Sequence, residues 1–215
     1  MLAAWICAQV NVDKHRQIDA GANEETVRVI AGKYRRRKLA GPGPPALWLR
    51  PTSDRLRETL FNILGAEIED SLFVDVCAGT GAMGIEALSR GAREAAFIEA
   101  DPRGAQLVRK NLKSLDIRAG GQVLETDAVE GLEALSARRT MADFFYIDPP
   151  YEMEAKLLQI LEYLDRSHLI APRGLVMLEH RWDKLPPERL ERLERMRLVE
   201  QGDASISFYR LAAAA

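Results

Sequence analysis

Between Val74 and Gly84 the chain reads Val74-Asp75-Val76-Cys77-Ala78-Gly79-Thr80-Gly81-Ala82-Met83-Gly84, an apolar run that enters a glycine turn and leaves it as a helical pattern. No other segment restricts the fold as much. A buried strand must end there, the glycines must let the backbone approach a ligand closely, and a helix must open with free N–H groups. The flanking sequence fits the same scheme. Strand-like runs at Leu72–Cys77, Ala95–Glu99, Gln122–Glu125, Phe144–Ile147 and Leu175–Glu179 alternate with helical patterns at Met83–Arg90, Arg103–Leu115, Ala128–Leu135 and Glu152–Leu164. That alternation predicts an α/β fold, a mostly parallel sheet with helices on both faces. Beyond Pro186-Pro187 a short charged helix is expected, and Met196–Glu200 and Ser205–Leu211, parted by Gly202-Asp203, predict an antiparallel hairpin.

Upstream of the sheet the organisation is looser. Residues 1–26 show no sustained periodicity and read as a disordered leader without an assigned function. Val27–Ala31 and Arg37–Leu39 are strand-like around Gly32-Lys33-Tyr34, predicting a basic β-hairpin that a Gly/Pro linker carries on to residue 49. Ser53 then caps a helix whose Leu56, Leu60, Phe61 and Leu64 keep helical spacing until Gly65. Residues 50–211 form the main domain in this reading, and 212–215 a tail.

The net charge of −2 conceals an asymmetry. Arg28, Lys33, Arg35, Arg36, Arg37, Lys38 and Arg50 fall in a stretch with no acid, so the remainder carries −9. A compact basic block on an acidic body suggests a docking surface for a polyanion; the alternative is a solvated arm. No run approaches the ~20 apolar residues of a membrane-spanning helix, and the apolar start Met1–Val10 lacks a basic flank. The two cysteines make no disulfide framework, Cys77 reads as a reduced packing thiol, and His15, His168 and His180 are too scattered to ligate a metal. The expectation is a cytoplasmic, metal-free monomer.

Acidic side chains follow the next two strands. Glu99 ends the second, where a carboxylate typically accepts from two ribose hydroxyls, and Asp127 follows the third, within reach of an adenine amine. Gly79-x-Gly81-x-x-Gly84, with Thr80 inside it, also satisfies a dinucleotide fingerprint, so a dehydrogenase is one reading. Asp75 argues against it, because it would repel a pyrophosphate but could face a cationic group. The antiparallel end of the sheet argues the same way. A nucleoside cofactor without pyrophosphate fits better.

The fourth strand ends in Asp148-Pro149-Pro150-Tyr151. An exocyclic amine on a base is a poor nucleophile because its lone pair is delocalised into the ring. Accepting hydrogen bonds from both its N–H groups returns the pair to nitrogen. Asp148 and the Pro149 carbonyl can supply the two acceptors, with Pro150 stiffening the backbone. Tyr151 can stack on the base, contributing roughly 1–3 kcal/mol. Attack on a sulfonium methyl then needs positioning more than acid assistance.

Taken together these residues resemble class I methyltransferases, specifically the bacterial 16S ribosomal RNA guanine-N2 methyltransferase family (RsmD-like), over roughly residues 27–211. The landmarks are Arg28-Val29-Ile30-Ala31-Gly32-Lys33-Tyr34-Arg35, the long run from Arg50 to Leu64, Asp75 to Gly84 and Asp148 to Tyr151. The resemblance implies a seven-stranded Rossmann-like sheet with a reversed terminal strand and an N-terminal basic hairpin that helps hold RNA. It implies S-adenosylmethionine as donor and a guanine N2 of small-subunit rRNA, within an assembling particle, as acceptor. Asp148, Pro149, Pro150 and Tyr151 would form the amine site, and Gly79, Gly81, Glu99 and Asp127 would line the cofactor. Arg50, Thr52 and Arg57 would lie towards the substrate; read from the residues alone, Arg55 and Arg57 are equally solvent-facing helix charges. The twenty-six residues before Val27 depart from the family pattern. Two other readings stay open: a DNA adenine-N6 methyltransferase, since Asp-Pro-Pro-Tyr serves any exocyclic amine, and a non-catalytic RNA-binding assembly factor.

Overall fold

The computed structural model describes residues 27–42, 53–149 and 154–213, so the expected leader, Arg50, Pro150 and Tyr151 lie outside the described residues. Seven strands form one sheet in the order β3-β2-β1-β4-β5-β7-β6. They are β1 (Leu72–Val76), β2 (Glu94–Glu99), β3 (Gly121–Glu125), β4 (Ala142–Ile147), β5 (Ile170–Arg181), β6 (Leu193–Gln201) and β7 (Ala204–Leu211). The first five pair in parallel, and β7 runs antiparallel to both β5 and β6. The reversed strand is thus the last in sequence but the penultimate in space. The helices are α1 (Asp54–Leu64), α2 (Ala82–Ser89), α3 (Pro102–Ser114), α4 (Ala128–Ala137) and α5 (Glu154–Arg166).

Buried apolar side chains cover both faces of the sheet. On one, Val74, Phe145, Ile147, Val176 and Leu178 pack under α4 and α5. On the other, Phe73, Phe144, Tyr146 and Met177 meet Leu60, Phe61 and Leu64 of α1, while Phe97 meets Val108 of α3. Burying a side chain of this size contributes about 1.5–3 kcal/mol. All five residues of β1 are buried, as a central parallel strand requires. Ser53 caps α1, its Oγ accepting from the Leu56 N–H at 3.2 Å.

Three expectations change. β5 begins five residues earlier than its apolar run, and a register shift against β4 between Ala142 and Phe144 absorbs Pro172-Arg173-Gly174. No helix follows Pro187. The buried Asp165 carboxylate accepts N–H bonds from Glu191, Arg192 and Leu193 at 3.1, 2.8 and 2.7 Å, which holds the chain in an irregular turn leading into β6. The basic segment pairs over a shorter stretch than expected: an antiparallel bridge joins Arg28 to Lys38, with the Val29 N–H donating to the Arg37 carbonyl at 3.0 Å and the Leu39 N–H to the Val27 carbonyl at 2.8 Å, and neither run becomes a full strand. Past that point the Ile30 and Ala31 N–H groups both donate to the Glu86 carboxylate of α2, which turns the segment onto that helix. No helix among the described residues is long and apolar enough to cross a membrane.

Candidate active site

In this sheet order the crossover direction reverses between β1 and β4, and in open parallel sheets ligands lie outside the carboxyl ends of the strands at such a point. The glycine loop leaves β1 there. Cys77 turns the chain with a left-handed φ of 64°, so that its own N–H and that of Ala78 both donate to the Ile98 carbonyl, at 2.9 and 3.0 Å. A non-glycine residue in this conformation is strained, a common mark of a functional loop. Gly79 and Gly81 follow with φ of 55° and 75°. Gly84 serves packing: a Cβ there would lie 2.3 Å from the Phe97 ring of β2. The Cys77 thiol, pushed up to about 12 by burial first and then by the Glu99 and Asp148 carboxylates, stays protonated and inert.

Glu99 stands where the sequence placed it and is held firmly. Its Oε2 accepts from the Gly79 N–H at 2.7 Å and its Oε1 from the Asp101 N–H at 2.8 Å. A Cβ on Gly104 would come within 2.8 Å of its Cγ, so α3 can sit this close only with glycine there. Asp127 caps α4 through the Val129 N–H and ion-pairs with Lys156 of α5, whose hydrogen bond holds this carboxyl below its ordinary range. Asp75 lies under the loop rather than on its open face. It is 2% exposed, its Oδ2 accepts from the Gly84 N–H at 2.9 Å, and burial pushes it up to about 7. Thr80 is buried, its carbonyl accepting from Asn111 Nδ2 at 2.9 Å. Two carboxylates at neighbouring strand ends beside left-handed glycines fit a nucleoside with two ribose hydroxyls and an amine.

Asp148 follows β4 directly, half-buried, and its N–H donates to the Val76 carbonyl at 3.3 Å. That bond sets the Asp148-Pro149 step beside the end of β1 and hence beside the loop. Pro149 is buried.

The basic segment sits on the outer side of α2 and α3. Glu86 is fully buried, yet it receives Ile30 and Ala31 N–H at 2.7 and 3.0 Å and pairs with Arg90 at 2.7 Å. The Lys33 N–H donates to the Ser89 carbonyl and the Tyr34 N–H to its hydroxyl, at 2.7 and 2.9 Å. Gly32 is obligatory: φ is 78° and a Cβ would fall 1.8 Å from the Ser89 oxygen. Asn111 of α3 bonds both Ala40 backbone groups as well as Thr80, tying the end of the segment to the cofactor loop. Arg28, Lys33, Arg35, Arg36, Arg37 and Lys38 are all exposed, although Arg28 pairs with Asp54 and Arg37 donates to the Ser114 carbonyl. Ser89 ends α2, so the tip of this segment lies about 12 Å, one eight-residue helix, from the glycine loop.

Arg57 corrects an expectation. It was read as a substrate-side or solvent-facing cation, but it is 0% exposed, with Nη2 donating to the Arg28 carbonyl at 2.6 Å and to Asp54 at 2.7 Å. Burial draws its pKa below the ordinary arginine value. It braces the basic segment from beneath rather than meeting a ligand at the surface.

Four contributors escaped the sequence reading: Glu86, Asn111, Lys156 and Glu179, whose carboxylate accepts from the Tyr146 hydroxyl. Glu86 had a signal as a lone acid between Met83, Ile85 and Ala87. Lys156 had one as a cation in a first helical turn, where the helix dipole disfavours it. Glu179 ends an apolar strand run just as Glu99 does, so the rule applied to Glu99 applies to it equally. Asn111 had none, because its partners lie 31 and 71 residues away.

Comparison with known proteins agrees with this geometry. The family described as Conserved hypothetical protein 95 matches residues 27–210. Ribosomal RNA small subunit methyltransferase D of Escherichia coli (strain K12) is 38% identical over 154 residues, 71% of this chain and 74% of that protein. Its Haemophilus influenzae counterpart is 34% identical over 189 residues, covering 86% and 92%. A solved E. coli structure, provisionally titled methyltransferase yhhF, is 30% identical with a TM-score of 0.75, covering 88% of this chain and 99% of that one. The chain therefore belongs to the Conserved hypothetical protein 95 family, that of ribosomal RNA small subunit methyltransferase D, and is an S-adenosylmethionine-dependent methyltransferase.

Proposed function

We propose that the protein methylates the exocyclic N2 of a guanine in small-subunit (16S) rRNA, in the cytoplasm and on an assembling ribosomal particle. The observation that carries the reading is the Asp148 N–H to Val76 carbonyl bond, which brings an amine acceptor to the glycine loop across the switch point. The E. coli and H. influenzae relatives, named for small-subunit rRNA, support the substrate class.

S-adenosylmethionine supplies an electrophilic methyl group on sulfur. In this reading Glu99 accepts from the ribose hydroxyls, Asp127 from the adenine amine, and the Gly79-Thr80-Gly81 backbone lies against the rest. Asp75 offers negative charge beneath the loop to the cationic methionine end. Asp148 Oδ and the Pro149 carbonyl accept the two N2–H bonds and localise the nitrogen lone pair, while Pro150 and Tyr151 fix the base. A nitrogen–carbon bond forms as the carbon–sulfur bond breaks, and the surplus proton leaves the nitrogen for Asp148 or solvent. Positioning provides most of the acceleration. Lys33, Arg35, Arg36 and Lys38, with Arg28 and Arg37, hold the RNA backbone along α2 and α3, away from the reacting base, and Arg50 adds a further cation for the RNA.

The test is transfer of labelled methyl to small subunits from cells lacking the enzyme, to naked small-subunit rRNA, to duplex DNA and to no acceptor. Label recovered as N2-methylguanosine is expected. Label recovered only as N6-methyladenine in DNA would keep the chemistry and overturn the substrate, and cofactor binding without any transfer would favour an assembly factor.

A further inference from the structure

Asp148 has an acidic neighbour that methyl transfer itself does not require. The parallel pairing of β4 with β5 aligns Ile147 with Leu178, which sets Glu179 opposite Asp148 one strand spacing away, about 4.8 Å. Aligned residues of parallel strands point to the same side, so both carboxyls stand on the α1 face at the carboxyl edge of the sheet. Tyr146, two residues before Asp148 on that face, donates its hydroxyl to Glu179 Oε2. Glu179 is 6% exposed. An enclosed carboxylate is costly unless it is hydrogen-bonded, and a carboxylate can accept from several donors at once, the Tyr146 hydroxyl being one of them here.

The two amino-purines differ in what lies beside the reacting amine. Guanine presents N1–H next to its N2 amine, a donor beside donors. Adenine presents a bare N1 next to its N6 amine, an acceptor that a carboxylate repels. We propose that Glu179 accepts the N1–H of the target guanine while Asp148 and Pro149 hold its amine, so that Glu179 makes the site take guanine and refuse adenine. This assignment rests on the guanine-N2 reading above. The Tyr146 hydroxyl orients the carboxylate from below.

The experiment uses a synthetic rRNA fragment spanning the methylated guanosine, once located by digestion, and a twin carrying 2,6-diaminopurine riboside there. The twin keeps the N2 amine and the purine shape but lacks the N1 hydrogen. A site built to hydrogen-bond a group rejects the analogue lacking it strongly, so the wild-type protein should methylate the guanine fragment at least about 100-fold better in kcat/KM. Glu179→Gln should bind S-adenosylmethionine normally, lose activity on guanine, and bring the two fragments within about tenfold, because its amide can turn an N–H towards a bare N1. Equal use of both fragments by the wild-type protein would sink the assignment without needing any variant to fold, as would an unchanged preference in Glu179→Gln. Guanine methylation without discrimination removes Glu179 alone; no methylation of guanine in any RNA removes the underlying reading too.

Discussion

At the carboxyl edge of the sheet, Gly79, Glu99, Asp127 and Asp148 take their places from where strands end. The basic segment at 27–42 takes its place from side chains of two helices, Glu86 and Ser89 of α2 and Asn111 of α3. The first arrangement is local. A strand that stops at the right residue delivers its next side chain to the site, and the sheet tolerates change elsewhere. The second is long-range, and buried polar side chains carry it. Each backbone N–H they satisfy would otherwise be unpaired, at about 1–3 kcal/mol. Damage at the edge should therefore abolish chemistry and spare the fold, whereas damage beneath the basic segment should cost stability and RNA binding together.

The largest effect is expected at Asp148. Asp148→Ala should lower turnover by about 10²–10³-fold, the usual cost of removing one preorganised polar contact to the reacting group. Affinity for S-adenosylmethionine, measured by equilibrium titration, should stay within a few-fold. Equal loss of both would mean that Asp148 belongs to the cofactor site.

Asp75 comes next, and its signature is in pH. The unfolded chain loses this proton near pH 3.9, whereas the buried carboxyl holds it to about 7. Between those values only the folded state carries the proton, so stability falls as pH rises across the window and levels off above it. The span corresponds to roughly 4 kcal/mol at most. Asp75→Asn, which can still accept from the Gly84 N–H, should remove this component; urea unfolding of both proteins from pH 4 to 8 measures it. The same variant should bind S-adenosylmethionine more weakly above pH 7, where the wild-type carboxylate is ionised. Parallel unfolding curves for the two proteins would show that the carboxyl titrates normally.

Glu86→Ala should cost about 2–3 kcal/mol, since it strands the Ile30 and Ala31 N–H groups, and should weaken rRNA binding at least tenfold with turnover at saturating RNA nearly intact. Urea unfolding and RNA titration read the two effects. Cofactor affinity is the sharper readout, because Asn111 bonds both Ala40 and Thr80. A loss of S-adenosylmethionine binding as deep as the loss of RNA binding would mean that segment and loop move as one body.

Legibility in the sequence follows the same division. The strand–turn–helix at Val74–Gly84 and the acids Glu99, Asp127 and Asp148 were readable because a two-residue strand period and a glycine turn fix where side chains emerge. Sequence reading misplaced Arg57, because nothing local says that an arginine on an amphipathic helix turns inward to meet the Arg28 carbonyl. It expected longer strands at Val27–Ala31 and Arg37–Leu39 than the short pairing around Arg28 and Lys38, because β-propensity cannot know that Glu86, 55 residues on, draws the Ala31 N–H onto α2. The helix expected after Pro187 failed likewise, to Asp165. Long-range polar contacts leave no periodicity to read.

The smallest effect concerns the tip of the basic segment. Replacing Lys33, Arg35 and Arg36 by Gln leaves the docking bonds alone, since those use the backbone of this turn. Arg37 is excluded because its guanidinium donates to the Ser114 carbonyl, and Arg28 because it pairs with Asp54 beside Arg57. Each lost phosphate contact should flatten the slope of log K against log salt by about 0.7 for single-stranded RNA, about 2 for the three. The tip lies about 12 Å from the glycine loop, so the phosphates it meets are not those of the target nucleotide. A fragment trimmed to the target loop should then show the same salt slope with wild-type and variant protein, while full-length rRNA separates them. A difference that survives trimming would place the tip beside the reacting base, and the RNA path along α2 and α3 would have to be redrawn.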